Sequence, residues 1–153
     1  MNRLLLLTML CSPVACVPLA PGAGQSETSS NYWVGSRQFR ITGFEASVAA
    51  TKTDGRDWDA LGDPPDPHIT LLVDGTLAAT CSEKNTTAPT CSTSLLGKIV
   101  DLRVNSRIEI RVVDRDAMED DAIGAGVSLA GPQTLHFQTN GQLTSASLIL
   151  EQL

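Results

Sequence analysis

A chain of 153 residues is long enough for one domain with a modest hydrophobic core, and 42% apolar with 18% charged residues excludes a disordered or fibrous chain. A formal net charge of −6 excludes a surface built mainly for phosphate backbones, so no nucleic-acid partner is expected. The charge is local: of eleven aspartates, five fall between positions 54 and 66 and four between 114 and 121. Counted with Glu119, Arg56 and Arg115, the two windows carry −8 and the rest of the chain +2.

The chain begins Met1-Asn2-Arg3 and continues in an apolar run over residues 4–10 and on to Cys16. This is the pattern of a secretory signal, too short for a membrane span. Residues 1–17 are read as a signal peptide, and the protein as exported: a bacterial membrane-anchored lipoprotein, or a periplasmic or extracellular protein. Two processing sites compete. Pro13-Val14-Ala15-Cys16 is similar to a bacterial lipobox, which would place a lipid anchor on Cys16, although Pro13 departs from the usual aliphatic residue. The alternative is cleavage within residues 21–24, with no anchor. Residues 18–37, rich in Gly, Ser, Pro and Thr, are expected to form a flexible tether, and residues 38–153 the folded domain. Cys11 would leave with the signal. Cys81 and Cys91 then remain as an even pair in an oxidising compartment, and a disulfide between them is expected.

Phe39, Ile41 and Val48 mark a first strand over 38–52. Residues 68–74 form a second, and Asp74-Gly75 is a hairpin signal leading into a third at 76–81. A fourth is predicted at 90–99. The clearest alternation lies at 107–113, with Ile108, Ile110 and Val112 on one face and Arg107, Glu109 and Arg111 on the other. That is a half-buried strand of an antiparallel sheet. Further strands are expected at 122–130, 134–138 and 143–150, with a turn at Asn140-Gly141. No segment keeps a helical period. Eight short strands with regular punctuation predict an all-β, eight-stranded antiparallel sandwich.

Each acidic window borders a strand. Carboxylates crowded this closely raise one another's pKa unless a cation neutralises them. Calcium suits the task, because it takes six to eight oxygens in a flexible shell and aspartate is short enough for several to converge from a loop. Neither window has the glycine and terminal glutamate of a helix–loop–helix calcium site. Acidic loops are also common as merely solvated turns. Two such windows meeting at one end of a sandwich favour metal.

Asp66-Pro67-His68-Ile69, then residues 85–91 with Pro89, then Asp114-Arg115-Asp116 followed by Asp121-Ala122-Ile123-Gly124, together resemble the signature of C2 domains, in order and over nearly the whole mature chain. The resemblance implies calcium as the cofactor. It implies Asp59 and Asp66 as ligands from the first loop and Asp114, Asp116 and Asp121 from the other, aided by the carbonyls of Trp58 and Arg115. Loop lengths depart by one residue each, so Asp57 or Asp63, and Asp120, are secondary candidates. Cys91 stands where the family has tryptophan, and the lysine-rich phosphoinositide patch is missing. With the first acidic loop between the first two strands, the chain looks like the circularly permuted form of the fold.

Trp58, Leu61 and Met118 lie in the acidic loops and are candidate membrane-contact residues; Trp58 could equally cap the core edge. His68 and His136 read as core or surface histidines. No nucleophile-elbow motif supports Ser94 and His136 as catalytic, and few aromatics are present to line a sugar cleft. The expectation is a calcium-binding module, not an enzyme, that docks to anionic phospholipid or a partner protein. The rival is a structural or protein-interaction sandwich in which calcium serves stability alone.

Overall fold

The computed structural model describes residues 35–59, 61–116, 120–131 and 133–153. The predicted signal peptide, Cys16, nearly all of the tether and Met118 lie outside the described residues. Among the described residues there are nine strands and no helix: β1 (Ser36–Val48), β2 (Pro67–Val73), β3 (Thr76–Ser82), β4 (Ile99–Arg103), β5 (Arg107–Asp114), β6 (Asp121–Leu129), β7 (Thr134–His136), β8 (Gln138–Thr139) and β9 (Leu143–Gln152). They form two antiparallel sheets, ordered β4-β1-β9-β7 and β3-β2-β5-β6-β8. The predicted all-β sandwich is the fold observed.

Period-two burial drives the packing. Ile108, Ile110 and Val112 of β5 face Ile41, Phe44, Leu102 and Leu148 of the opposite sheet's strands within one continuous core. In β1 the buried set shifts phase, from Phe39 and Ile41 to Phe44, Ala46 and Val48. A bulge in the β1–β9 pairing between Ile41 and Gly43 resets the phase. At that bulge Gly43 lies under Ile149, whose Cδ1 would stand 2.8 Å from any added Cβ.

Three predicted strands differ from those observed: the first, expected at 38–52, ends at Val48, and Lys52 lies in the turn beyond it. The fourth is expected at 90–99, but β4 begins at Ile99. Residues 91–97 instead turn around Cys91, which has a φ of +53° and whose carbonyl accepts the N–H groups of Ser94 and Leu95. Buried Leu95 gives this turn its strand-like apolar content. The strand expected at 134–138 is two short ones. β7 pairs with β9 and β8 with β6, so the chain changes sheets at buried Phe137.

Because the strands alternate in direction, the three long connections leave the sandwich at one end: β1–β2 (49–66), β3–β4 (83–98) and β5–β6 (115–120). The β2–β3 hairpin and the short β4–β5 turn close the other. Both acidic windows therefore share an end.

Candidate functional site: a carboxylate cluster at the open end

The alternation that buries Ile108, Ile110 and Val112 also turns Asp114 inward. It is 0% exposed, a carboxylate at the top of the apolar face of β5. A carboxylate buried this deeply costs several kcal/mol unless charge or hydrogen bonds compensate. One oxygen is partly compensated, since Asp114 Oδ1 accepts the Asp66 N–H at 2.6 Å. Oδ2 is fully buried and has no hydrogen-bond partner. Desolvation pushes the Asp114 carboxyl upward, and the negative charges of Asp116 and Asp66 add to it.

The first loop brings a second carboxylate. Trp58 is 3% exposed, packed in the core, and its Nε1–H donates to the Ala49 carbonyl at 2.9 Å. That anchor fixes the next residue, Asp59, over the end of β5. One carboxylate oxygen each from Asp59, Asp114 and Asp116 lie within 4.8 Å of one another. Desolvation raises the Asp59 pKa, followed by a hydrogen bond to the Asp116 carboxylate and by the charges of Asp116, Asp114 and Asp66. Two carboxylates close enough to share a proton are a place where a cation would replace it.

Asp66 ties the loops together. Its N–H reaches Asp114, its carbonyl accepts the Arg115 N–H at 3.1 Å, and its Oδ1 accepts the Asn85 N–H at 2.7 Å. Asp66 thus stands beside the cluster with one carboxylate oxygen committed to the β3–β4 connection. Asp121 is opposite Asp114 in the β5–β6 register, but its Oδ2 takes the Lys52 ammonium at 2.5 Å. Among the described residues, Asp57, Asp63 and Asp120 are exposed and outside the cluster.

Of the five ligands expected, the structure brings Asp59, Asp114 and Asp116 together, sets Asp66 at their edge and pairs Asp121 with a lysine. The donor set fits a hard divalent cation: all oxygen, three carboxylates, one oxygen buried and unpartnered. Sequence reasoning misses Lys52 because it lies just outside the acidic window. The one available signal is its position as the only lysine between β1 and the first aspartates.

Of the expected membrane contacts, Trp58 is core and not a loop tip, while Leu61 is 90% exposed. Cys81 and Cys91 form the expected disulfide, with Cα atoms 5.7 Å apart. Glu83 beside them accepts the Cys91 N–H at 2.5 Å, so this acid clasps the connection. His68 Nδ1 lies 2.6 Å from the Ser82 hydroxyl on the outer face of its sheet; burial lowers its pKa, helped by Arg115.

No protein-family model matches the chain, and no curated protein matches it in sequence. Solved structures do. A C2 domain protein from Ramazzottius varieornatus superposes with a TM-score of 0.53 at 12% identity, covering 78% of this chain and 91% of that one. A structure described as that of a C2 domain gives 0.48 at 12% identity, over 74% of this chain and 94% of that one. The paired C2 domains of Extended-Synaptotagmin 2 give 0.48 at 18%, over 91% and 48% respectively. The fold statement rests on the first of these. The chain is an all-β sandwich of the C2-like fold, with the first acidic loop running from β1 to β2.

Proposed function

We propose that this protein is an exported calcium-binding module, not an enzyme, whose open end docks to anionic lipid when calcium is bound. The observation that carries the reading is Asp114, a wholly buried carboxylate with an unpartnered oxygen, adjoining Asp59 and Asp116 within 4.8 Å. Without a cation this arrangement is repulsive. With calcium, Asp59, Asp114 and Asp116 would be the holding residues, and Asp66 would hold the loops in register. The ion supplies positive charge with open coordination positions for an anionic group. Support for export comes from the leader-like N-terminus and from the Cys81–Cys91 cystine.

Lipid is the favoured partner because Leu61 stands 90% exposed two residues beyond Asp59, where an apolar side chain can enter a bilayer while the ion meets headgroup phosphate. Ser94 and His136, the pair with which an enzyme reading would begin, lie beside β3 and on β7, edge strands of different sheets.

Co-sedimentation with phosphatidylserine-containing vesicles, with calcium and with chelator, tests the reading. Calcium-dependent pelleting that Leu61→Ser weakens is the expected result. Calcium binding with no vesicle association under any condition would favour a protein partner, or calcium kept for stability alone. No calcium binding would end the proposal.

A further inference from the structure

We propose that Lys52 is a built-in counter-cation, occupying the Asp121 side of the carboxylate cluster so that the site takes a single calcium ion. The inference rests on the calcium reading above and concerns how many ions the same site admits.

Lys52 is not a free surface lysine. Its backbone closes a turn with reciprocal bonds, Lys52 N–H to the Arg56 carbonyl at 2.8 Å and Gly55 N–H to the Lys52 carbonyl at 2.9 Å. The ammonium stands 5.7 Å from the centroid of the buried Trp58 ring. It meets Asp121 at 2.5 Å, and the lysine side chain is 21% exposed. Turn, ring and carboxylate together fix one position. An ordinary exposed ion pair has none of that support.

The β5–β6 register explains why a cation is needed there. Asp114 and Asp121 are direct partners across the two strands, an arrangement of like charges that destabilises a sheet. The structure separates their burdens. Asp114 faces Asp59 and Asp116, whereas Asp121 faces Lys52. A divalent ion on three carboxylates leaves that group one charge negative. For a second divalent ion the described carboxylates beside the cluster are Asp66, with one oxygen committed to the Asn85 N–H, and Asp121, which the ammonium already holds. Lysine suits this role because its charge is compact and carries three donors, so it can replace an ion among carboxylate oxygens.

Titration calorimetry of the full exported chain with calcium tests the inference. The wild type and Lys52→Arg should each bind one ion per molecule. Lys52→Gln should bind two, the second about tenfold more weakly than the first. Two ions on the wild type, or one on Lys52→Gln, overturn the inference and leave the calcium site standing. No binding by any of the three overturns both. A second readout needs no calcium. In chelator, Lys52→Gln should lower Tm, and adding Asp121→Asn should recover most of the loss. Losses that simply add would show that the two side chains do not act as a pair, and the inference fails.

Discussion

The two ends of the sandwich each carry an aspartate whose carboxylate accepts a backbone N–H, one exposed and one buried, and the protein treats them in opposite ways. At the closed end, Asp74 sits in the β2–β3 hairpin with a φ of +49°. Its Oδ1 accepts the Arg107 N–H at 2.7 Å and its Oδ2 the Ser106 hydroxyl at 2.9 Å. The backbone hydrogen bond from Arg107 is the main reason its carboxyl lies below the usual range, with Ser106 adding to it. At the open end, Asp114 receives one N–H, keeps one oxygen unpartnered, and is pushed upward by burial. Two aspartates with the same side chain are thus told apart by burial and by donor supply. Where the fold satisfies a carboxylate, it is a structural clasp. Where the fold buries one and withholds donors, the carboxylate keeps an unpartnered oxygen, the feature on which the proposed calcium site rests.

The largest expected effect asks how far the open end depends on its covalent clamp. The cystine joins β3 to the connection that carries Asn85, and Asn85 holds Asp66. Replacing Cys81 and Cys91 together with Ala should cost about 2–3 kcal/mol by the loop-closure argument. Chemical denaturation measures it. The wild-type thiols should resist alkylation until reduced. A loss under about 0.5 kcal/mol would show the clamp to be dispensable.

Next comes calcium. On the proposed reading of an exported module in a calcium-rich compartment, the expected Kd is on the order of 0.1–1 mM. At 10 mM calcium, mass action then stabilises the folded state by about 1.4–2.7 kcal/mol, several degrees of Tm for a domain of this size. Asp114→Asn and Asp116→Asn should each weaken binding at least tenfold, and together abolish it. Asp74→Asn should lower Tm with and without calcium and leave the calcium-induced shift unchanged. Should Asp74→Asn also remove the shift, the two ends are not distinct, and the comparison fails. Magnesium should substitute poorly, because it demands a tighter octahedral shell.

Much of this contrast was legible in the sequence. The alternation Ile108-x-Ile110-x-Val112 places Asp114 on the core face by parity alone, and Asp74-Gly75 announced its hairpin. Charge counting finds both acidic windows, and the strand order gives the end they share. Three things were not legible, each for a physical reason. Residues 91–97 turn at Cys91 and Gly97, both at positive φ, while buried Leu95 lends the segment a strand-like apolar content, so the pattern sets the fourth strand too early. The crossing at Phe137 splits one apparent strand between two sheets, a tertiary choice that no period reveals. Which aspartates converge depends on where Trp58 is buried and where Lys52 reaches. Spacing therefore gave the candidates, and packing selected among them.

A smaller effect separates the two ends in the absence of calcium. Asp114→Asn removes a charge that Asp59 and Asp116 repel, while its amide oxygen can still accept the Asp66 N–H. In chelator this change should stabilise the domain by at least about 1 kcal/mol, the order of one carboxylate contact at the dielectric of bulk water. Asp74→Asn should do the reverse, since it weakens a charge-assisted clasp on Arg107 and Ser106. Opposite signs from one chemical change at two positions would sharpen the comparison. Equal signs would break it.

The smallest effect is the pH dependence of that difference. Asp114 has its pKa raised in the folded state, so between the unfolded value near 3.8 and the folded value the native chain binds more protons than the unfolded one. Stability from this group therefore rises as pH falls through that window, and its penalty is fully present only above the folded pKa. Asp74 is the mirror case. Its folded pKa lies below 3.8, its contribution is fully present above the unfolded value, and it is lost as pH falls through the folded one. In chelator, the stabilisation by Asp114→Asn should be full above the raised folded pKa of Asp114 and shrink on acidification before the destabilisation by Asp74→Asn begins to fade. Denaturation midpoints of the three proteins, taken between pH 7 and pH 3, give the order directly. If the Asp74→Asn difference fades first, then the hairpin aspartate and not the buried one carries the strained charge, and the assignment of the open end as the calcium site loses its footing.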